Sequence, residues 1–252
     1  MRRALGIGAW VLAVAAGLGI FLLLPHLVSD FHSRDLARAG VFFIAIVGLN
    51  LLTGYTGQIS LGHGALMAIG GYTTAALVVH EHWRDVWTIP LAGIAAGIVG
   101  FALAWLIVRG RLGRVFRSVR DSEIAAVSSG VNLAATKTLA FALSGVYAGV
   151  AGALLAIQDE IVNPLTYTFL LSILVLVGAV VGGLGSLPGL VLGALFVQYL
   201  PKISTHVSGR SGVRDFVYGA AIIVVMILLP TGAGGLLRRV VRPLTTWLYT
   251  RP

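Results

Sequence analysis

The chain has 252 residues, 58% hydrophobic and only 11% charged, with a mean hydropathy of +0.95. A soluble domain carries about 25% charged residues, and nine acids with eighteen Lys and Arg are too few to clothe a water-soluble core of this length. An ordinary soluble globule is therefore excluded, and apolar surface must face lipid. The net charge of +9 sits in short clusters between apolar runs rather than along one polar face, which argues against nucleic acid as a partner. Without cysteine there are no disulfides, no thiolate catalysis and no Cys-based zinc or iron–sulfur site.

Met1-Arg2-Arg3 and the run Ala4–Leu24 have the outline of a secretory signal. The run is longer than the roughly 7–15 residues of a signal core and lacks a small-x-small cleavage pattern before Pro25-His26, so it reads as a first span. A spanning helix needs roughly 20 apolar residues, because only a helix satisfies its own backbone where there is no water. Ala39–Val79 and Ile161–Pro201 contain no Asp, Glu, Lys or Arg and are about twice that length, so each is expected to hold two spans. The resulting expectation is an all-α, polytopic transmembrane helical bundle of about eight spans. They lie near residues 4–24, 39–53, 61–79, 86–108, 138–157, 166–182, 187–201 and 216–237, with a loop at 109–137.

The positive-inside rule orients this map. One side collects Arg2, Arg3, Arg109, Arg111, Arg114, Arg117, Arg120, Lys137, Arg238, Arg239, Arg242 and Arg251. The other has six basic residues diluted by seven of the nine acids, so both termini are expected in the cytoplasm.

Glycine-rich polar sequence breaks both long stretches, at Gly54–Gly64 and at Gly182–Gly189. Corresponding broken segments in two halves of a membrane protein point to a transport pathway, because irregular backbone is tolerated only where protein or a cavity satisfies it. Asn50, Gly57, Gln58, Ser60, His63, Tyr72, Gly183, Gly185 and Ser186 are thus candidate pathway residues. A pair of short loops is the competing reading, and for His63 a bond to a neighbouring carbonyl competes with a role in substrate binding or pH sensing. Gly93-x-x-x-Gly97 and Gly145-x-x-x-Gly149 suit close helix packing.

The expected spans hold no Asp or Glu, which disfavours coupling to a proton or sodium ion. There is no G-x-x-x-x-G-K-[ST], so the chain does not hydrolyse nucleotide in the P-loop manner. Ser60 and His63 have no orienting acid in any span, which disfavours an intramembrane enzyme. No catalytic residue, metal site or cofactor is expected. In Arg109–Lys137, Val115, Phe116 and Val119, then Ile124 and Val127, suit two short helical pieces, the second ending near Gly130. Five arginines beside a membrane would also serve as a lipid anchor, each contributing on the order of 1 kcal/mol.

Three motifs resemble the inner-membrane permease subunits of branched-chain amino acid ABC importers: Asn50–Gly64 continuing to Thr73, Gly113–Ala126 continuing to Lys137, and Gly182–Gly189. The resemblance implies a channel shared with a second, homologous permease subunit. It also implies cytoplasmic ATP-binding cassette subunits, and a periplasmic or extracellular solute-binding protein that delivers a small amphipathic solute. The second motif is similar to the Glu-Ala-Ala…Gly coupling pattern of ABC importers, with one extra residue between Glu123 and Gly130. On that resemblance Asp121–Gly130 is expected to form the element that docks on the ATPase, with Arg117, Arg120 and Glu123 presented to a polar rim, Ile124, Ala125 and Ala126 entering a groove, and Gly130 ending the helix. Family members carry a further segment, including spans, between the fourth span and the coupling loop, whereas here Trp105–Arg109 runs almost directly into Arg111–Arg114. The alternative function is a passive channel or ion-coupled carrier for small solutes such as urea or short amides.

Overall fold

The computed structural model describes residues 30–78, 102–160 and 162–207, with 219–220, 222–224, 227 and 232–235 near the C-terminus. The expected span at 4–24, residues 86–101 of that at 86–108, and most of that at 216–237 lie outside the described residues. Among the described residues all regular structure is helical. The elements are α1 (Asp30–Thr56), α2 (His63–Val78), α3 (Arg111–Asp121), α4 (Glu123–Ser128), α5 (Leu133–Asp159), α6 (Phe169–Gly182) and α7 (Gly189–Val207). Residues 102–109 are also helical, and a short 3-10 turn spans Pro164–Thr166. Three helical stretches are long and apolar enough to cross a membrane: Arg34–Thr56, Leu133–Asp159 and Pro164–Gly182.

α1 and α5 extend beyond the expected spans at both ends and α7 at its C-terminal end, whereas α2 and α6 fall within theirs. The first reaches back from residue 39 to Asp30 because Arg34, Asp35 and Arg38 are tolerated at its end. Arg38 pairs with Asp159 at 2.5 Å, Lys202 pairs with Asp35, and Gln158 Nε2 donates to the Arg34 carbonyl at 2.7 Å. These contacts tie one end of α1 to the C-terminal ends of α5 and α7. The segment 109–137, expected to be a loop, is mostly helix. α5 starts at Leu133, where Asn132 Oδ1 accepts the Ala135 N–H at 3.0 Å and caps it.

α1 is the hub. Every residue from Val41 to Thr56 is buried, as suits a helix apolar on all sides and surrounded by other helices. Lipid supplies no hydrophobic drive between helices, so close contact has to hold the bundle. α6 and α7 pack through Gly178-x-x-x-Gly182 on one and Gly189-x-x-x-Gly193 on the other. A Cβ on Gly193 would lie 2.1 Å from the Gly178 carbonyl oxygen, and one on Gly189 would lie 2.0 Å from that of Gly182. α2 crosses α5 equally closely, since Cβ atoms on Gly70 and Gly152 would meet the carbonyls of Gly149 and Met67. Of the glycines expected to pack, Gly149 lies at this crossing, its Cα 2.7 Å from where a Gly70 Cβ would be, while Gly93 and Gly97 lie outside the described residues. At Gly145 and Gly149 a Cβ would meet no backbone within 4 Å.

Candidate functional site

Both glycine-rich interruptions are non-helical, at 57–62 and 183–188, and they meet. α1 ends at Thr56, and Gly57 turns the chain with φ +75°, a left-handed conformation that glycine adopts without steric cost. The second interruption is held against the same helix end. Asn50 Oδ1 accepts the Gly185 N–H at 2.9 Å, and the Tyr55 hydroxyl donates to the Gly185 carbonyl at 2.9 Å. Gly54 allows the contact, because a Cβ there would lie 2.5 Å from Gly185 N. Ser186 is buried, its N–H bonded to the Gly183 carbonyl at 3.0 Å and its hydroxyl covered by Gly234. Thr53 Oγ1 donates to the Gln58 carbonyl at 2.9 Å, and Gln58 Nε2 donates to Thr56 Oγ1 at 3.1 Å.

From this junction residues 57–62 run back along the bundle to the start of α2. His63 Nε2 donates to the Ala45 carbonyl at 3.0 Å, and the Gly64 N–H donates to Ser172 Oγ at 2.8 Å. At about 1.5 Å per residue, Ala45 lies about 16 Å along α1 from Thr56, and Ser172 lies about as far along α6 from Gly183. The two helices therefore agree on the depth at which α2 begins. Six extended residues reach about 20 Å, enough for the return. Ser60 is buried along this segment, whereas Ile59 is 72% exposed and Leu61 and Gly62 face outward.

The expected pathway residues fall into three places. Asn50, Gly57, Gln58, Gly183, Gly185 and Ser186 share the junction. His63 is fully buried about halfway along α1, bonded to a carbonyl, and Ser60 lies between the two places. Tyr72 is on the far part of α2, its ring 6.3 Å from that of Tyr167, so the structure does not bring it to the others. Asn50 Nδ2, His63 Nδ1 and Ser144 Oγ are buried with no partner among the described residues.

The basic segment lies against the junction. Residues 102–109 end at Gly110, where the chain folds back so tightly that a Cβ on Gly113 would lie 2.0 Å from the Val108 carbonyl. Arg109 stacks 4.1 Å over Trp105. α3 buries Gly113, Phe116 and Val119 and leaves Arg117 half-buried. Arg120 Nη1 donates to the Gly54 carbonyl at 2.9 Å, while its Nε and Nη2 both reach Asp121 Oδ1 at 3.0 Å.

Ser122 then caps α4, its hydroxyl accepting the Ala125 N–H at 3.2 Å, and Glu123 pairs with Lys137 at 2.7 Å. At the far end Val131 N–H bonds to Ala126 O and Gly130 N–H to Val127 O, with Gly130 at φ +83°, a Schellman ending. α4 is thus fixed at both ends. Ala126 is only 2% exposed and packs inside the chain, which corrects the expectation that it enters a partner's groove. The reason is helical geometry, since residues two apart lie about 200° around a helix. Ile124 at 83% exposed, Ala125 and Val127 form the outward face instead.

Tyr55, Lys137 and Ser172 carry no site role from the sequence alone, although Ser172 is among the few polar residues of the expected spans. Tyr55 stood between two glycines in the first motif, and Ser172 gave no local signal because its partner is 108 residues away.

A family profile described as "Branched-chain amino acid transport system / permease component" matches residues 33–111 and 101–226. Its two pieces meet where the sequence runs from Trp105 into the basic segment. The LivM permease protein of the high-affinity branched-chain amino acid transport system of Salmonella typhimurium is 25% identical over 312 aligned residues, covering 82% of this chain and 71% of that protein. That alignment is longer than the 252-residue chain, so it contains long gaps on this chain's side. BraD of Pseudomonas aeruginosa is 33% identical over 138 residues, 55% of this chain and 44% of its own length. LivH of Escherichia coli K12 is 26% identical over 226 residues, 89% of this chain and 64% of its own length. No solved structure matches. On the profile match, the chain belongs to the family of permease components of branched-chain amino acid transport systems.

Proposed function

We propose that this chain is the membrane-spanning permease subunit of an ABC importer in the cytoplasmic membrane, carrying branched-chain or similar small amino acids and powered by a separate ATPase. The observation that carries the reading is α4, a six-residue helix capped at both ends that points Ile124, Ala125 and Val127 away from the chain. A short apolar ridge with no covering partner among the described residues, flanked by charged side chains, suits a groove on another protein. It stands beside the glycine junction, so a subunit docked there would be next to both broken segments.

In this orientation the junction and the basic segment are cytoplasmic, as are both termini, and the Arg38–Asp159 end faces outward. Residues 57–62 then cross about half of a roughly 30 Å hydrocarbon core without helix. Such backbone is stable only against protein or a water-filled cavity. The exposed side at Ile59 and Leu61 therefore borders the route or the second permease subunit, and a solute-binding protein delivers from the outer face. Tagging this chain and identifying what co-purifies in mild detergent tests the reading. An ABC-type ATPase is expected, and its absence from an intact, folded preparation would remove the coupling role.

A further inference from the structure

Arg120 occupies a notch made by three glycines. Its Nη1 bonds to the Gly54 carbonyl, its Cγ lies 3.4 Å from where a Gly57 Cβ would be, and Nη1 lies 3.5 Å from where one on Gly185 would be. A Cβ at either position would therefore rest in ordinary van der Waals contact with the Arg120 side chain, along its stem at Gly57 and at its tip at Gly185. One cation thus touches the last turn of α1, the start of the first break and the turn of the second. The Gly54 carbonyl belongs to the negative end of the helix dipole, which favours a positive charge there. Asp121 Oδ1 takes the Nε and Nη2 donors of the planar guanidinium, which leaves Nη1 directed at the Gly54 carbonyl.

Each break also has local bonds of its own, Thr53 Oγ1 and the Leu52 carbonyl to Gln58 in the first and the Ser186 N–H to the Gly183 carbonyl in the second, but these bonds do not reach the basic segment. The contacts that join the breaks are Asn50 and Tyr55 to Gly185, while Arg120 alone among the described residues links them to the basic segment through a side-chain bond. The competing reading is a surface arginine that merely caps α1. A simple cap would leave the second break indifferent to its removal.

We infer that Arg120 is a positioning residue that latches α3 to both glycine breaks, so that a displacement of α3 and α4 is delivered to the two breaks together. The latch rests on the proposed function only for what drives the displacement. The holding itself is a property of this chain alone.

The test uses the full, naturally cysteine-free chain in inside-out membrane vesicles, with single buried reporters Ser60→Cys on the first break and Ser186→Cys on the second, and the exposed Ser128→Cys on α4 as control. Each is combined with Arg120, Arg120→Lys or Arg120→Ala, and the rate of reaction with a membrane-impermeant maleimide is measured. Loosening by about 1.4 kcal/mol is about tenfold in an opening equilibrium. Rates at both reporters are expected to rise about tenfold with alanine and by less with lysine, which keeps the charge at the helix end but loses the fork. The control rate stays constant. A change at one reporter only, no change at either, or an equal rise at the control would overturn the latch. Absence of an ATPase from the purified wild-type chain would remove the proposed function and leave this result standing.

Discussion

Replacing Ile124 separates docking from folding, because its side chain is 83% exposed in this chain. Ile124→Ala leaves the Ser122 cap, the Glu123–Lys137 pair and the Gly130 ending in place. An exposed substitution away from such features changes stability by no more than about 0.5 kcal/mol, and alanine is the better helix former by a few tenths of a kcal/mol. The thermal midpoint of the isolated subunit is therefore expected to stay the same or rise slightly. If Ile124 is fully buried against an ATPase, three carbons are lost from the interface. At about 0.8 kcal/mol per carbon the loss is about 2.4 kcal/mol, or about sixtyfold in Kd. Ile124→Asp adds a desolvated charge and should abolish binding. The assay is the amount of ATPase retained on the tagged subunit through a dilution series, beside the melting curve of the subunit. Full retention by both variants would refute the reasoning and leave Ile124 as a residue that lies in the lipid headgroups.

Ser172→Ala should lower the thermal midpoint by the equivalent of about 1 kcal/mol, because the Gly64 N–H loses the hydroxyl that caps α2 from another helix. Asn50→Leu should cost more, about 1–3 kcal/mol, by leaving the Gly185 N–H without its buried acceptor, seen as a lower midpoint and faster proteolysis at the 183–188 turn. Gly57→Leu forces a side chain into a left-handed backbone at a cost of about 1–2 kcal/mol, so leucine uptake should fall while membrane insertion is retained. Single cysteines at Ser118 and His82 should label from opposite faces of the membrane, and labelling of both from the same face would refute the eight-span map.

Helical class, membrane character and family were legible because they rest on periodic or contiguous signals: uncharged runs of span length, and glycine motifs at recognisable spacing. The position of Gly57 as a break was legible too, since glycine marks a backbone that other residues avoid. What the sequence could not show was pairing across distance. Asn50 and Gly185 lie 135 residues apart, and nothing local to either says that one receives the other's N–H. The same holds for Arg120 and Gly54. The face of α4 was misread at Ala126 because a run of consecutive small and apolar residues carries no direction until the helix is docked. Tyr72 was grouped with the junction by proximity in sequence, but the sixteen-residue α2 carries it away. At Gly110 the tight fold-back joins residues 102–109 to α3 within the stretch, 101–111, that both pieces of the family profile share, and Gly113 permits it.

The central claim is that solute movement through this subunit is driven by ATP hydrolysis in a partner. Its most direct test is uptake of radiolabelled leucine into proteoliposomes holding the complex purified through this chain, with a leucine-loaded binding protein outside. The account predicts uptake that requires ATP inside the vesicles and is indifferent to imposed proton or sodium gradients. Leucine entry without ATP, or entry that follows an ion gradient, would contradict it and favour a channel or an ion-coupled carrier.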